Sequence, residues 1–359
     1  MKVLIVNAIL YTSESKEVRK VESIKDCMIY DLCRAFHDKG HDVTLIAADD
    51  YKPTVDEKYP FRIVWMRSRL KKIFMPNKIP YNRGIKKFLK NQHFDLVICS
   101  EVFSLDTLLT VRSHPENLII WQEMAFHQKM ARQMASKFWH NVILKMLYPH
   151  ARIVARTQNA KAFITKYCDN VSDVIIPHGV DLDKFVAERQ KENHFIVVSQ
   201  LIERKQIDRI ILAFRDFCKN TDKNYKLFIV GDGDKKTELK NIVKNEKLEE
   251  SVTFTGQMNH DEIVGLLSKA RAMLVYTKKD NSMISIAESL AVCTPVITTP
   301  VPDNARSIKD FRLGVVKENW TWEDLKHVAE TSEYVVNCYI YRNNLDNKHN
   351  VDLFINEIN

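Results

Sequence analysis

Two carboxylates eight residues apart, Asp280 and Glu288, lie in YTKKDNSMISIAESLAVCTPVITTP, residues Tyr276–Pro300. This is the segment of the chain best suited to hold a phosphorylated sugar. An apolar strand is expected to end near Thr277, with a polar loop after it and a helix starting near Asn281 or Ser282, both good N-caps. The first N–H groups of that helix, at Met283, Ile284 and Ser285, would be aimed at an anion, because a helix N-terminus offers donors without intrahelical partners and partial positive charge. Glu288 falls about one and a half turns into the helix, where a carboxylate can accept both hydroxyls of a ribose. Its neighbours Ile284, Ile286, Ala287, Leu290 and Ala291 are apolar, which favours a carboxylate at a buried edge over a solvated one.

Other chemistries find less support. Asp232-Gly233-Asp234 has the form of a metal-binding D-x-D pair, but it follows the apolar run KLFIV in what reads as a tight turn, so no metal is assigned. A G-x-S-x-G elbow is missing, and no G-x-G-x-x-G follows the first strand. Serine hydrolases and dinucleotide oxidoreductases are therefore not expected. The seven cysteines are scattered without a C-x-x-C pair, which points away from disulfides and thiolate zinc and toward a reducing compartment.

The elements that must position these residues are legible as a repeating pattern. Val- and Ile-rich runs (KVLIVN, HDVTLIA, RIVWM, DLVIC, NLIIW, ARIVA, DVIIP) alternate with helical stretches, and the alternation resumes with HFIVVS, KLFIVG, VTFTG, AMLVYT and TPVITT. Continuous apolar strands separated by helices imply parallel sheets covered on both faces. Ile24, Met28, Leu32 and Phe36 recur every four residues and predict one helix stripe, ended by Gly40. Helices are also expected over 206–219, 235–248 and 259–269, the last with Asn259 and Glu262 at capping-box spacing. The fold class is α/β, with two doubly wound Rossmann-like domains and a ligand cleft at the carboxyl ends of their strands. The expected divisions are a basic first domain over 1–176, a linker over 177–190, a second domain over 191–330, and a helical tail over 331–359 able to pack back on the first domain.

Charge divides the chain as well. Of the net +8, residues 1–180 hold 28 Lys and Arg against 18 Asp and Glu, while the rest is slightly acidic. Arg67–Lys90 contains nine basic residues and no acid, and 124–168 contains eight and no acid. Phe74, Met75, Ile79 and Leu89 interleave with the first run, a mixture suited to an anionic lipid surface. Nucleic acid is the rival partner, but no nucleic-acid module matches, and a plain solvated basic face is the simplest alternative. Apolar runs all fall short of the roughly 18 residues of a membrane span. The opening MKVLIVNAIL lacks a small-residue cleavage site and reads as a buried strand. A cytoplasmic protein resting on the membrane's cytoplasmic face is expected.

Five pieces in order carry a family resemblance: PHGVDLDKF (177–185), SQLIERKQIDRIILAF (199–214), VGDG (230–233), FTG (254–256) and the Asp280–Glu288 segment. Together they resemble the retaining GT-B glycosyltransferases of family 4, whose last motif runs E-x7-E. The resemblance implies transfer of a sugar from a nucleotide donor, expected to be UDP-linked, with retention and without a metal or other cofactor. It places Lys205 on the donor diphosphate, Glu288 on the ribose, Asp280 on hydroxyls of the transferred sugar, and Gln257 and Met258 beside the base. Glu123 or His127, after strand NLIIW, would serve the acceptor side, a saccharide or lipid-linked saccharide in envelope or polysaccharide synthesis. The departures are Gln200 where the family has a phosphate-binding Arg, Asp280 for the first Glu, and residues 10–23 in place of a Gly-Gly loop. A nucleotide-sugar epimerase of related fold, or a catalytically silent partner subunit, stays open beside the transferase.

Overall fold

The computed structural model describes residues 1–10, 23–55, 57–69, 80–90, 92–113, 116–127, 131–148 and 151–358. The loop after the first strand and the middle of the Arg67–Lys90 run, with Phe74, Met75 and Ile79, lie outside the described residues. The chain divides into two units, Met1–Asp181 joined by Asn347–Asn359, and Leu182–Asp346. Residues 331–346 thus stay with the second unit, where Arg342 Nε donates to the Ala291 carbonyl at 2.9 Å. Only the last helix, Asn347–Asn356, belongs to the first.

The first unit holds β1 (Lys2–Val6), β2 (Asp42–Ala48), β3 (Arg62–Met66), β4 (Leu96–Ser100), β5 (Leu118–Gln122), β6 (Arg152–Ala155) and β7 (Val171–Ile175), ordered β3-β2-β1-β4-β5-β6-β7. Every pairing is parallel. β1 lies centrally and its residues are buried almost throughout, as a sheet covered by helices requires. The last helix closes this core: Phe354 packs against Trp121 at 5.4 Å between ring centres and against Phe36 at 6.1 Å. Glu357 accepts from Arg152 Nε at 3.0 Å and from the Ser172 hydroxyl at 2.8 Å.

The first helix departs from the four-residue stripe. Ile24 sits in a separate 3₁₀ turn, Ile24–Asp26, and Cys27 is extended (φ −95°, ψ 133°) before the helix Met28–Asp38 begins. Met28 is consequently 43% exposed, and the buried face is Ile29, Leu32, Cys33 and Phe36.

The second unit holds β8 (His194–Val198), β9 (Lys226–Val230), β10 (Val252–Gly256), β11 (Ala272–Leu274), β12 (Val296–Thr298) and β13 (Gly314–Val316), again all parallel, ordered β10-β9-β8-β11-β12-β13. Helix Ile207–Lys219 covers it with Ile207, Ile210, Ile211, Phe214 and Phe217. Helix His260–Lys269 opens with the Asn259–Glu262 capping box. In each sheet the strand order reverses once, between β1 and β4 and between β8 and β11, and ligands of such sheets bind at the carboxyl ends flanking that reversal.

Candidate functional site

Beyond β8 and β11 the second unit brings together residues 75 positions apart. From β8 the chain passes Gln200, which is exposed, into a 3₁₀ turn Glu203–Lys205 that ends on Gln206 at φ 42°. Gly231 makes this path possible, since a Cβ there would meet the Ser199 carbonyl oxygen at 1.9 Å. From β11 the chain runs through Tyr276 into Thr277–Asp280. Lys278 N donates to the Arg204 carbonyl at 2.9 Å, tying the two loops.

Asp280 is the centre of this group. Its Oδ2 accepts from Lys205 Nζ at 2.9 Å and from the Thr277 hydroxyl at 2.6 Å, and its Oδ1 from Arg204 Nη1 at 2.7 Å. Burial pushes the Asp280 carboxyl up, but Thr277, Lys205 and Arg204 outweigh it and hold it below the usual carboxylate range. Lys205 is only 8% exposed, with the Met283 sulfur 3.9 Å from its Nζ.

The helix after this loop starts later than expected. It spans Ile284–Ala291 with Met283, not Asn281 or Ser282, at its N-cap, and the Met283 N–H donates to Asn304 Oδ1 at 2.7 Å. That amide is engaged within the protein, so the helix amides proper begin at Ile284. Glu288, mostly buried, has Oε1 3.0 Å from His260 Nε2, and this hydrogen bond raises the imidazole's pKa. Gln257 is exposed and Met258 half-buried just past β10, beyond Gly256 at φ 76°.

The first unit has its own charged group at the carboxyl edge. Glu101 follows β4, Glu123 follows β5, Arg156 follows β6, and His178 lies three residues beyond β7. Arg156, 5% exposed, stacks on Trp121 at 3.9 Å and donates to Glu123 Oε2 (2.8 Å), Ser100 Oγ (2.6 Å) and His178 Nε2 (2.7 Å). Burial and Arg156 lower the His178 pKa, against the opposite pull of Glu123. Glu101, at φ 70°, accepts the backbone N–H of Glu123 at 2.8 Å and of Met124 at 3.3 Å. Burial pushes the Glu101 carboxyl up to about 7 despite Arg156. For Glu123 burial is outweighed by His178 and Arg156, which hold it at about 2. His127 is not part of this group. Its Nδ1 is 2.9 Å from Ser136 Oγ and its Nε2 2.9 Å from the Tyr167 hydroxyl, with Phe163 edge-on.

Two family models match successive parts of the chain, glycosyltransferase family 4 over residues 28–184 and glycosyl transferases group 1 over 181–350. The chain is thus similar to glycosyl transferases group 1 in its second part and to glycosyltransferase family 4 in its first. An alpha-monoglucosyldiacylglycerol synthase of Streptococcus pneumoniae is 24% identical over 54% of this chain and 45% of its own length. The O-antigen chain mannosyltransferase RfbU of Salmonella typhimurium is 27% identical over 59% of this chain and 61% of its own. The matched region thus spans less than two thirds of either relative. The Anabaena protein HepE, solved in complex with UDP, has the same fold, with TM-score 0.69 at 14% identity over 99% of this chain and all of that one. The fold is GT-B.

In the second unit, then, Lys205, Asp280 and Met283 converge, Glu288 pairs with His260, and Gln200, Gln257 and Met258 follow the ends of β8 and β10. Sequence reasoning missed Glu101, Arg156, His178, Arg204 and His260. Three of the five carry one usable signal, a charged side chain placed directly after an apolar strand or, for His178, a place inside the PHGVD motif.

Proposed function

We propose that this chain is a retaining glycosyltransferase that moves a sugar from a nucleotide donor, UDP-linked, to a saccharide or lipid-linked saccharide in envelope or polysaccharide synthesis. The observation that carries the reading is the pairing of Lys205 with Asp280 at the reversal point of the second sheet, one turn of chain before the helix that bears Glu288. Lys205 holds the diphosphate and Glu288 the ribose, while Asp280 takes hydroxyls of the sugar. As the bond from the anomeric carbon to the phosphate oxygen breaks, its electron pair leaves on the diphosphate. A cation fixed at that oxygen stabilises the charge as it develops. The acceptor hydroxyl forms the new bond from the face that the diphosphate leaves, which keeps the configuration, and passes its proton to the departing phosphate oxygen. On the acceptor side the reading assigns Glu123, held anionic by Arg156, rather than His127, whose two ring nitrogens are already engaged. One relative is named for a glucosyldiacylglycerol and another for an O-antigen chain, and HepE was solved with UDP; these support the acceptor class and the nucleotide. Incubation with radiolabelled UDP-sugars and membrane lipid extract tests it. Transfer to lipid or saccharide bears it out; formation of an epimer, or no turnover at all, gives the epimerase or the silent subunit instead.

No divalent metal is needed in this scheme. Asp232 of the D-x-D sequence is occupied by Lys236 Nζ at 3.0 Å and by the Gly233 N–H at 2.8 Å. Activity should survive EDTA; loss restored by Mg²⁺ or Mn²⁺ would overturn this point.

The first unit is proposed to dock on anionic membrane. Among the described residues of the basic run, Arg67, Arg69, Arg83, Lys86, Lys87 and Lys90 are exposed, whereas Leu89 is buried with Ile85 and cannot serve as a lipid contact. Exposed apolar groups are found instead at Met134 (81%), Phe138 (58%) and Met146 (69%), beside exposed Lys137 and Lys145. Cations near an anionic bilayer contribute about 1 kcal/mol each. No helix among the described residues is long and apolar enough to cross a membrane. Replacing Lys71, Lys72, Lys86 and Lys87 by Glu should abolish co-sedimentation with phosphatidylserine vesicles at low salt while UDP affinity is kept. Equal sedimentation with neutral vesicles, or none with either, reduces the patch to a solvated surface.

A further inference from the structure

Family 4 motifs place a phosphate-binding Arg where this chain has Gln200, and Gln200 is exposed beyond β8. The cation is not lost from the site, because the turn that follows supplies another. Arg204 Nη1 lies 2.7 Å from Asp280 Oδ1 while Lys205 Nζ lies 2.9 Å from Oδ2, so two successive residues grip one carboxylate, one cation to each oxygen. Asp280 Oδ2 already has Lys205 and Thr277, which suffice to seat the carboxylate. Arg204 adds a second full charge aimed at the same point. Its backbone is fixed for the purpose, with its carbonyl accepting from Lys278 N at 2.9 Å. A guanidinium stays charged at any working pH, and its planar fork matches paired phosphate oxygens.

We infer that Arg204 replaces the cation missing at Gln200 and is the second ligand of the donor's diphosphate, held in place beside Lys205 by Asp280. The inference rests on the donor site proposed above and names a residue that the family motif does not.

The test is calorimetric titration of the full chain with UDP and GDP and with the corresponding phosphate-free nucleosides. Arg204→Ala should weaken binding of the preferred diphosphate on the order of tenfold to a hundredfold. Affinity for the nucleoside should not change, and Gln200→Arg in the Arg204→Ala background should restore most of the loss. Arg204→Gln, which keeps a donor for the Lys279 carbonyl that Arg204 now bonds at 2.9 Å, serves if the alanine variant does not fold. Undiminished diphosphate affinity, equal losses for diphosphate and nucleoside, or failure of Gln200→Arg to restore binding each overturn the inference. If Lys205→Ala and Glu288→Ala lower diphosphate affinity while Arg204→Ala does not, the donor site stands without Arg204. If none of the three does, the donor site falls too.

Discussion

Lys205→Ala should lower kcat at saturating donor by about 100- to 1,000-fold, the loss typical of removing one preorganised group that stabilises charge in the transition state. The residue is nearly buried, so its ammonium acts where water competes little, and its Nζ is fixed by Asp280 Oδ2 rather than searching for a partner. The variant should still fold, because Asp280 keeps Arg204 and Thr277 as partners. Glu288→Ala should act differently, weakening UDP binding by about 1.5–3 kcal/mol through loss of charged hydrogen bonds to the ribose. It also releases His260 from its 3.0 Å contact, whose raised pKa should then fall back. Single-turnover rates with UDP-sugar and calorimetry with UDP separate the two effects. A Lys205→Ala enzyme with the wild-type kcat would mean that the departing diphosphate is held elsewhere.

The sheets were readable because buried parallel strands need no partner-specific signal. VLIV, LIAA and LFIV are continuous apolar runs, and each lies in a strand. What could not be read was contact supplied from far along the chain. The helix bearing Glu288 lacks a capping side chain of its own at Met283; Asn304, 21 residues later, takes the Met283 N–H. Local N-cap preference therefore pointed to Asn281 and Ser282. Likewise a spacing of four could not distinguish Ile24 in a preceding turn from Ile24 on the helix, because the break lies in the extended backbone of Cys27.

The same limit explains the two charged groups. The resemblance to family 4 pointed to Lys205, Asp280 and Glu288 because its motifs are local. Arg204 stood in view beside Lys205, but its significance depends on a loop 76 residues away. Glu101, Glu123, Arg156 and His178 are separated by 22 to 33 residues and share no motif. They meet only because β4, β5, β6 and β7 are neighbours in the sheet and each residue follows its strand's carboxyl end.

Arg156→Met should destabilise the first unit by about 3 kcal/mol at neutral pH, the low end of what breaking a buried ion pair costs, since Glu123 keeps partial contact with water. For a unit of this size that is a fall of about 6–12 °C in Tm. Methionine retains much of the stacking volume over Trp121, so the loss should come chiefly from charge. The pH dependence discriminates. The Glu123 carboxyl is held at about 2, below its ordinary 4.5, so its contribution is present above pH 4.5 and is lost as pH falls toward 2. Glu101 is the opposite case. Its folded value, about 7, lies above 4.5, so the native unit holds an extra proton between those values and loses stability as pH rises through them. Arg156 opposes both penalties by favouring the charged forms. Its removal should therefore hurt most above pH 7, where both carboxylates must be ionised without their cation, and progressively less toward pH 4. Calorimetric scans of the full chain at pH 7.5, 6 and 4, following the first unit's transition, measure the difference. A deficit constant across that range would assign the role of Arg156 to stacking on Trp121, and an unchanged Tm at pH 7.5 would remove it from the stability of the unit altogether.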